Sequence, residues 1–315
     1  MIRRHSVFAL LLSVCVSLHA VTVEIDGVCY GITGPYAYVT SRSLTGPEQN
    51  SYVGDVVVRE KISYNGQSFN VISVAANAFA GCEELTSVSL PSSVRAISPN
   101  AFLGCTGLRE VSFTPTLGTI SCCAFTACTS LQQISLPRKT EVVDTLTFYC
   151  CASLKSLILP HRVRTVCWGA LEHIPAMTDL YCYASLPPVT EVGAFTRADQ
   201  QKCTLHVPRE TIHLYRKASI WGDFYNIVPL KDSEYLALNY QKGDINDDGK
   251  VDAEDLDLLR RIIVSLPDDS AVHWAGDING DGKVNAADYV LLAKSISFSA
   301  EEHEYVDLGL PSGTQ

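Results

Sequence analysis

Residues 78–91 read Ala-Phe-Ala-Gly-Cys-Glu-Glu-Leu-Thr-Ser-Val-Ser-Leu-Pro, and their apolar spacing returns at residues 101–114, 124–137 and 147–160. The period is 23 residues at every step. Two of its columns are Phe79, Phe102, Phe125, Phe148 and Leu171, and Cys82, Cys105, Cys128, Cys151 and Ile174. A fixed period of this length predicts a solenoid, because one unit buries its apolar face only by stacking on its neighbours.

Each unit contains the spacing Leu-x-x-Val-x-Leu, as at Leu85, Val88 and Leu90, which matches the strand segment of a leucine-rich repeat. The whole unit, Ala-Phe-x-x-Cys-x-x-Leu-x-x-Val-x-Leu-Pro, resembles the BspA-type leucine-rich repeat of bacterial surface proteins. The resemblance covers four clear units and a fifth degenerate one, within a predicted solenoid at residues 70–184. It implies an extracellular recognition or adhesion module with a protein or glycan ligand.

The segments on either side of the solenoid are predicted caps, since solenoid ends expose unpaired strand edges. Residues 21–69 alternate as strands do and contain hairpin turn signals at Asp26-Gly27 and Asn65-Gly66. Residues 185–231 hold one more strand, closed by Pro208, and several large apolar groups. Tyr215, Trp221, Phe224 and Ile227 supply the apolar groups of the predicted cap. An exposed sugar-stacking platform of Trp221 and Tyr225 is the alternative.

Residues 1–20 have the layout of a secretory signal peptide: two arginines, an apolar run and a small residue at Ala20. No later segment is long and apolar enough to span a membrane. The formal net charge is -10, and residues 243–299 hold twelve acidic against five basic residues. This distribution argues against nucleic acid as a partner, which needs a basic footprint, and favours cation binding.

Eleven of the twelve cysteines remain after removal of the predicted signal peptide, in a compartment that permits disulfides. Cys82, Cys105, Cys128 and Cys151 fall in one column, where stacking places neighbours about 4.8 Å apart. The column continues as Ile174, which favours a ladder of buried thiols. Disulfide cross-links are the alternative that this spacing also permits.

Two acidic segments follow a short connection at residues 232–242. Residues 243–255 read Gly-Asp-Ile-Asn-Asp-Asp-Gly-Lys-Val-Asp-Ala-Glu-Asp, and residues 276–288 repeat the pattern 33 positions later. Oxygen side chains occupy loop positions 1, 3, 5, 9 and 12, and a lysine occupies position 7, where only the main-chain carbonyl is needed. These hard oxygen ligands predict two Ca²⁺ sites: Asp244, Asn246, Asp248, Lys250, Asp252 and Asp255, and Asp277, Asn279, Asp281, Lys283, Asn285 and Asp288.

Position 12 is aspartate instead of the glutamate of an EF-hand, and one helix follows each loop without a clear entering helix. The duplicated loop with its following helix resembles a type I dockerin, placed at residues 243–299. The resemblance implies a cohesin-bearing partner. The family's recognition positions correspond here to Ala253, Glu254, Arg260 and Arg261, and to Ala286, Ala287, Ala293 and Lys294. The first loop offers four carboxylates and the second three, so the first is expected to bind Ca²⁺ more tightly.

The predicted fold is therefore α+β: a 23-residue-repeat solenoid with end caps, then a small all-α domain with calcium loops. Residues 300–315 resemble the opening of a further extracellular domain, either truncated or vestigial. The sequence has no His-Glu-x-x-His, Gly-x-Ser-x-Gly or phosphate-loop motif, which predicts a non-enzyme. Candidate ligand contacts point outward from the predicted strands and include Glu110, Gln133, Ile158, Asp179 and Tyr181. A solvated face is the alternative, in which the solenoid is a rigid spacer; an accessory carbohydrate-processing subunit is the third hypothesis.

Overall fold

The computed structural model describes residues 21–42, 51–231, 233, 242–245, 250–265, 274–281 and 283–304. The predicted signal peptide, most of the linker, the end of the tail and the ligand candidates Asn246 and Asp248 lie outside the described residues.

The chain begins with six strands that lead into the solenoid. The strands are β1 (Val21–Ile25), β2 (Val28–Thr33), β3 (Tyr36–Val39), β4 (Gly54–Val57), β5 (Lys61–Tyr64) and β6 (Gln67–Val74). Strands β1, β2 and β3 pair antiparallel, as do β5 and β6, whereas β3 pairs with β6 in parallel. Asp26-Gly27 and Asn65-Gly66 join β1 to β2 and β5 to β6, and all four residues have positive φ. Both hairpin predictions are confirmed, because positive φ at both central residues defines the turn that matches strand twist.

Each solenoid turn places one strand in each of two parallel sheets. The front sheet consists of β4, β7 (Leu85–Ser89), β9 (Glu110–Ser112), β11 (Gln133–Ser135), β13 (Ser156–Leu159), β15 (Asp179–Cys182), β17 (Thr204–Val207) and β18 (Asn226–Pro229). The back sheet runs from β6 through β8 (Ala96–Ile97), β10 (Thr119–Ile120), β12 (Val142–Val143), β14 (Thr165–Val166) and β16 (Val189–Thr190). The predicted leucine-rich-repeat solenoid is confirmed, and its ladder continues through residues 204–229.

Stacked phenylalanines form the centre of the solenoid. Phe79, Phe102, Phe125 and Phe148 are fully buried, and their ring centroids lie 5.0, 5.0 and 5.6 Å apart with nearly parallel planes. Tyr52 caps the row against Phe79, with a centroid distance of 4.8 Å. Such pairs add about 0.5–1.5 kcal/mol each beyond the area that they bury. The period of 23 residues thus becomes one continuous aromatic column.

The core cysteines are free thiols, which confirms the favoured interpretation of their column. Cys105, Cys128 and Cys151 each donate a hydrogen bond from Sγ to the main-chain oxygen of the phenylalanine 26 residues earlier, at 3.0, 3.2 and 3.1 Å. Burial raises the pKa of the Cys151 thiol to about 12. The thiols therefore act as small apolar groups that also satisfy a carbonyl of the preceding turn.

Both sheets are interrupted at the same level of the solenoid. Among the described residues, β9 does not pair with β11, and β10 does not pair with β12. The segments that carry the phenylalanine column keep the regular spacing between successive repeats at this level. The main-chain N–H groups of Phe102 and Phe125 donate to the oxygens of Ala124 and Thr147 at 2.8 and 2.9 Å. The two neighbouring repeats therefore separate at both sheets but stay in contact at the phenylalanine segments. The front sheet opens there into a groove of about 550 Å³ between the segments 109–115 and 133–138.

The segment after residue 184 closes the end of the solenoid. It contains α1 (Arg197–Gln200), α2 (Ile212–Lys217) and two one-turn 3-10 helices at Arg209–Thr211 and Trp221–Asp223. Trp221 is 1% exposed, and its ring N–H donates to the Pro188 oxygen at 2.9 Å. Trp221 is thus a cap residue, and a sugar platform that includes it is wrong. Tyr225 is 87% exposed.

The described residues of the C-terminal module form two helices, α3 (Ala253–Ser265) and α4 (Ala286–Glu304), with a 3-10 turn at Trp274–Gly276. Each helix follows one acidic loop, as predicted. The module has a small hydrophobic core of its own, which contains Ile245, Leu259 and Leu292. No helix in the described part of the chain is long and apolar enough to cross a bilayer.

Candidate functional site

The two acidic loops are held together by packing that crosses between the halves of the module. Gly243, at the start of the first loop, donates its N–H to the Ala275 oxygen at 2.8 Å. A Cβ on Gly243 would lie 2.8 Å from Leu292 on the second helix. A Cβ on Gly276 would lie 3.4 Å from Leu259 on the first helix. Each loop thus rests on the helix of the other half, which couples the two loops structurally.

The last aspartate of each loop is fully buried and organises the loop. Asp255 accepts from the N–H groups of Ile245 and Asp252 at 2.7 and 2.9 Å. Asp288 accepts from Asn279 and Asn285 at 3.2 and 2.9 Å, which are the equivalent positions except for one residue. Both carboxylates are 0% exposed. They use main-chain donors to draw position 9 and the start of the loop together.

The first aspartate of each loop is also buried. Asp244 and Asp277 are 3% and 7% exposed. In the second loop, Asp277 and Asn279 accept from the N–H of Asp281 at 3.0 and 2.8 Å. The Lys283 side chain is exposed, as expected for a position that offers only its carbonyl. These turns direct side-chain oxygens toward the inside of the loop.

The donor set fits a hard divalent cation. Buried carboxylates are stable when they are paired or coordinate a metal, and each loop combines such carboxylates with amide and main-chain oxygens. Within the described residues, no three His, Cys, Asp or Glu side chains are gathered closely enough to hold a metal ion. Asn246 and Asp248 are outside that description, and the second loop uses two asparagines.

The predicted partner positions are at the module surface. Seven of them are exposed and Ala293 is half-buried: Ala253, Glu254, Arg260, Arg261, Ala286, Ala287, Ala293 and Lys294. Arg260 and Arg261 both pair with Asp257, at 2.7 and 3.1 Å. The hydrogen bond from Arg260 is the main cause that lowers the pKa of the Asp257 carboxyl.

The second helix presents apolar residues that the sequence analysis did not single out. Val290 and Leu291 are 49% and 40% exposed, beside Ala287 and Lys294. In the 33-residue duplication, Val290 corresponds to Asp257. One half of the module thus presents a charged face and the other an apolar one, and only a comparison of the two halves position by position would have found it.

The candidate ligand contacts of the solenoid lie in two columns of the front sheet. Strand register places Gln133, Ser156, Asp179, Thr204 and Asn226 side by side, and Ser135, Ile158, Tyr181, His206 and Val228 side by side. Ser87 and Glu110 lie side by side on β7 and β9, on the N-terminal side of the interruption. Thr204, His206, Asn226 and Val228 were missed, because the 23-residue period lapses after Cys182.

Aromatic and polar groups meet at the C-terminal end of these columns. Tyr181 stacks on His206 with a centroid distance of 4.2 Å, and His206 Nε2 lies 2.9 Å from Asp179 Oδ1. Ile158 and Tyr181 are half-buried and pack against Tyr183. Glu110, Gln133 and Ile158 line the groove nearer the middle of the sheet. The five candidate residues therefore lie on the outer face of the front sheet. The groove separates Glu110 on β9 from the other four residues.

A repeat solenoid with a duplicated acidic-loop module defines a class of multidomain interaction protein. The BspA type leucine rich repeat region matches residues 70–196 in six copies, and the dockerin type I domain matches residues 242–297. The chain therefore contains a BspA-type leucine-rich repeat region at residues 70–196 and a type I dockerin domain at residues 242–297. Both are interaction domains without catalytic activity. No curated protein matches the chain.

Several solved structures are similar to the chain. A leucine-rich repeat protein from T. pallidum is 32% identical with a TM-score of 0.41, over 48% of this chain and 67% of that protein. A leucine-rich repeat protein from Bacteroides ovatus is 19% identical with a TM-score of 0.46, over 60% and 56%. A leucine-rich cell surface protein from Faecalibacterium prausnitzii is 19% identical with a TM-score of 0.43, over 59% and 54%. The chain thus spans little more than half the length of the last two.

Proposed function

We propose that the protein is a secreted or cell-surface recognition protein. The front sheet of its solenoid binds a protein or glycan, and its dockerin tethers it, in the presence of Ca²⁺, to a cohesin-bearing partner. The observation that carries the tether is the pair of buried carboxylates Asp255 and Asp288, held in equivalent main-chain hydrogen bonds in the two halves. The match to the dockerin family supports the same role.

Two Ca²⁺ ions would be held by the twelve loop residues predicted from the sequence. Bound Ca²⁺ supplies the positive charge that buried carboxylates need. Residues of the chain hold the loops in place. Asp255 and Asp288 accept main-chain hydrogen bonds that fix the end of each loop. Gly243 and Gly276 pack closely against the helix of the opposite half, so the position of each loop also determines the position of that helix. The two helices are thereby held at one separation, which is what a partner would recognise.

The partner surface that we propose includes Val290 and Leu291 beside the predicted positions on the second helix. Exposed apolar groups next to small residues favour close approach of a second protein, because their burial is favourable and alanines leave space. Lys294 supplies a charge at the rim. The first helix offers Arg260 and Arg261 at the equivalent place, but both are already paired with Asp257.

A pull-down tests the tether. The full chain is immobilised and exposed to envelope and secreted proteins of the source organism, once with Ca²⁺ and once with a chelator. We expect a cohesin-bearing protein to be retained only with Ca²⁺. The double variant Asp255→Asn, Asp288→Asn should lose it, whereas Asp223→Asn, at an exposed carboxylate in the solenoid cap and away from the loops and the predicted partner positions, should retain it. Retention that does not depend on Ca²⁺, or that survives the double variant, would contradict the proposal.

The groove supports a binding role for the solenoid. It opens where the front sheet is interrupted, because the facing strands β9 and β11 form no main-chain ladder with each other there. Arg109, Glu110 and Gln133 add charged and amide groups to its lining. A concave site with a few polar groups is the usual setting for a ligand. A solenoid that is only a spacer has no need of it.

Substitutions on the front sheet separate these two roles. The variants Gln133→Ala and Glu110→Ala change the groove, and Tyr181→Ala with Ile158→Ser changes the aromatic end. The control is Tyr225→Ala, an exposed tyrosine in the cap. With Ca²⁺ present, the solenoid ligand is scored separately from the cohesin-bearing partner, and its loss in either front-sheet variant supports recognition. Unchanged capture in both would favour the spacer role.

A further inference from the structure

One side chain of the solenoid contacts the first calcium loop. Arg138 Nη1 lies 3.7 Å from Asp244 Oδ2, across 106 residues of sequence. Arg138 lies three residues after the end of β11 and lines the groove. Its side chain is 17% exposed and that of Asp244 is 1% exposed, so the contact is shielded from solvent. A shielded ion pair is screened less by salt than a surface pair.

The equivalent carboxylate of the second loop has a different basic neighbour. Lys242 Nζ lies 3.8 Å from Asp277 Oδ2, and the same ammonium donates to the Asp277 main-chain oxygen. Lys242 belongs to the module itself, immediately before the first loop, whereas Arg138 belongs to the solenoid. The two loops are therefore alike in sequence but differ in where the positive charge beside position 1 comes from.

We propose that the solenoid docks the chain's own dockerin through Arg138, and that Arg138 and Ca²⁺ compete for Asp244. This inference rests on the proposed calcium function of the loops. A Ca²⁺ ion bound to Asp244 would lie about 2.3–2.6 Å from its oxygen. The guanidinium is 3.7 Å from the same carboxylate, so the two cations would be near neighbours in a shielded place and would repel each other.

Charge complementarity supports the docking surface. Residues 243–299 hold twelve acidic and five basic residues. The solenoid turns that follow β11 and β13 carry more basic than acidic residues: Arg138 and Lys139 against Glu141 in the first turn, and Arg162 and Arg164 in the second. Opposite potentials orient and favour the contact of two domains. The occupant of this edge of the solenoid is thus the acidic module of the same chain.

Competition has a consequence for the order in which the loops bind. The first loop has four carboxylates among its ligands and the second three, which by itself favours the first. Arg138 removes that advantage in the docked chain. Linkage is reciprocal: Ca²⁺ in the first loop weakens the docking by the same factor by which docking weakens Ca²⁺ binding.

Calorimetric titration of the full chain with CaCl₂ tests the inference. Arg138→Gln should raise the affinity of one of two sites about fivefold or more, the lower end for coupled sites, and leave the other unchanged. Arg138→Lys, which keeps the charge, should remain near wild type, and Lys139→Gln is the matched control. Identical isotherms for wild type and Arg138→Gln overturn the competition alone. Absence of Ca²⁺ binding to all of these proteins overturns the calcium function as well.

A measurement on the unaltered protein keeps the inference testable if Arg138→Gln does not fold. Small-angle X-ray scattering of the full chain should give a larger radius of gyration with Ca²⁺ than with chelator, because the module leaves the solenoid. A radius that is the same with Ca²⁺ and with chelator overturns the proposal.

Discussion

Cys128 donates its thiol hydrogen to the main-chain oxygen of Phe102, with Sγ and oxygen 3.2 Å apart. The cysteine column is therefore more than a set of small apolar groups, because Cys105, Cys128 and Cys151 each link their turn to the phenylalanine of the turn before. Alanine at this position leaves a cavity and removes the donor, which should cost about 1–2 kcal/mol of unfolding free energy.

The comparison of Cys128→Ser with Cys128→Ala tests the bond itself. A hydroxyl buried without a partner costs about 1–3 kcal/mol, but serine can donate to the same Phe102 oxygen. We expect Cys128→Ser to be no less stable than Cys128→Ala in urea unfolding followed by circular dichroism. A serine variant that is clearly the weaker of the two would show that the carbonyl does not accept from this position.

Alkaline pH should destabilise the solenoid through its buried thiols. Desolvation raises the pKa of Cys182 to about 11 and that of Cys203 and Cys151 to about 12. Unfolded thiols titrate near ~8.5. Stability is thus fully present below pH ~8.5 and is lost as the pH rises toward 11 and 12, by about 1.4 kcal/mol per pH unit for each thiol.

Urea midpoints at pH 7, 8, 9 and 10 measure this loss. The variant Cys151→Val removes one of the buried thiols, so its stability should fall less steeply above pH ~8.5 than that of the wild type. The comparison uses the slope of each protein with pH, which is independent of the starting stability. Equal slopes, or a flat profile to pH 10, would mean that the buried thiols do not control alkaline unfolding.

The aromatic column should respond to loss of a ring at its centre. Phe125 is fully buried, with Phe102 at 5.0 Å and Phe148 at 5.6 Å. Phe125→Leu removes both stacked contacts and the edge contact with Phe113 at 6.1 Å, but it keeps an apolar group, as Leu171 does naturally in the same column. We expect a loss of about 1–3 kcal/mol. Val57→Ala, at a 69% exposed position, should change stability by no more than about 0.5 kcal/mol.

Periodicity made the inside of the solenoid predictable. Every residue of the phenylalanine and cysteine columns is buried, and the turn pairs Asp26-Gly27 and Asn65-Gly66 form the expected hairpins. The hairpins depend on residues that are adjacent in sequence, and the buried columns depend on apolar residues that recur every 23 positions. The duplicated loop was recognisable for the same reason, since spacing alone defines which oxygens can face one ion.

The features that escaped prediction depend on contacts between distant residues. Arg138 meets Asp244 across 106 positions, and no pattern in either segment indicates the other. The interruption between β9 and β11 has no signature in the period, which continues unchanged through Phe113 and Leu136. A period determines which way a side chain faces, but the spacing of neighbouring turns follows from how unequal side chains pack.

The crossed packing of the dockerin halves can be tested at two glycines with positive φ. Gly243 has φ 97°, and an added Cβ would lie 2.8 Å from both Leu292 and Val251. Gly280 has φ 74°, and an added Cβ would meet nothing within 4 Å. Gly280→Ala therefore measures only the conformational cost of a left-handed residue, about 1–2 kcal/mol. Gly243→Ala adds overlap with the core of the opposite half, typically a further 1–3 kcal/mol.

We expect Gly243→Ala to lower the melting temperature of the module clearly more than Gly280→Ala, measured by the far-ultraviolet helical signal with Ca²⁺ present. Because Leu292 belongs to the second helix, Gly243→Ala should also weaken Ca²⁺ binding at the second loop, although the substitution is in the first half. Equal effects of the two alanines would mean that the halves do not pack across each other at Gly243. A change restricted to the first loop would limit the coupling to its own half.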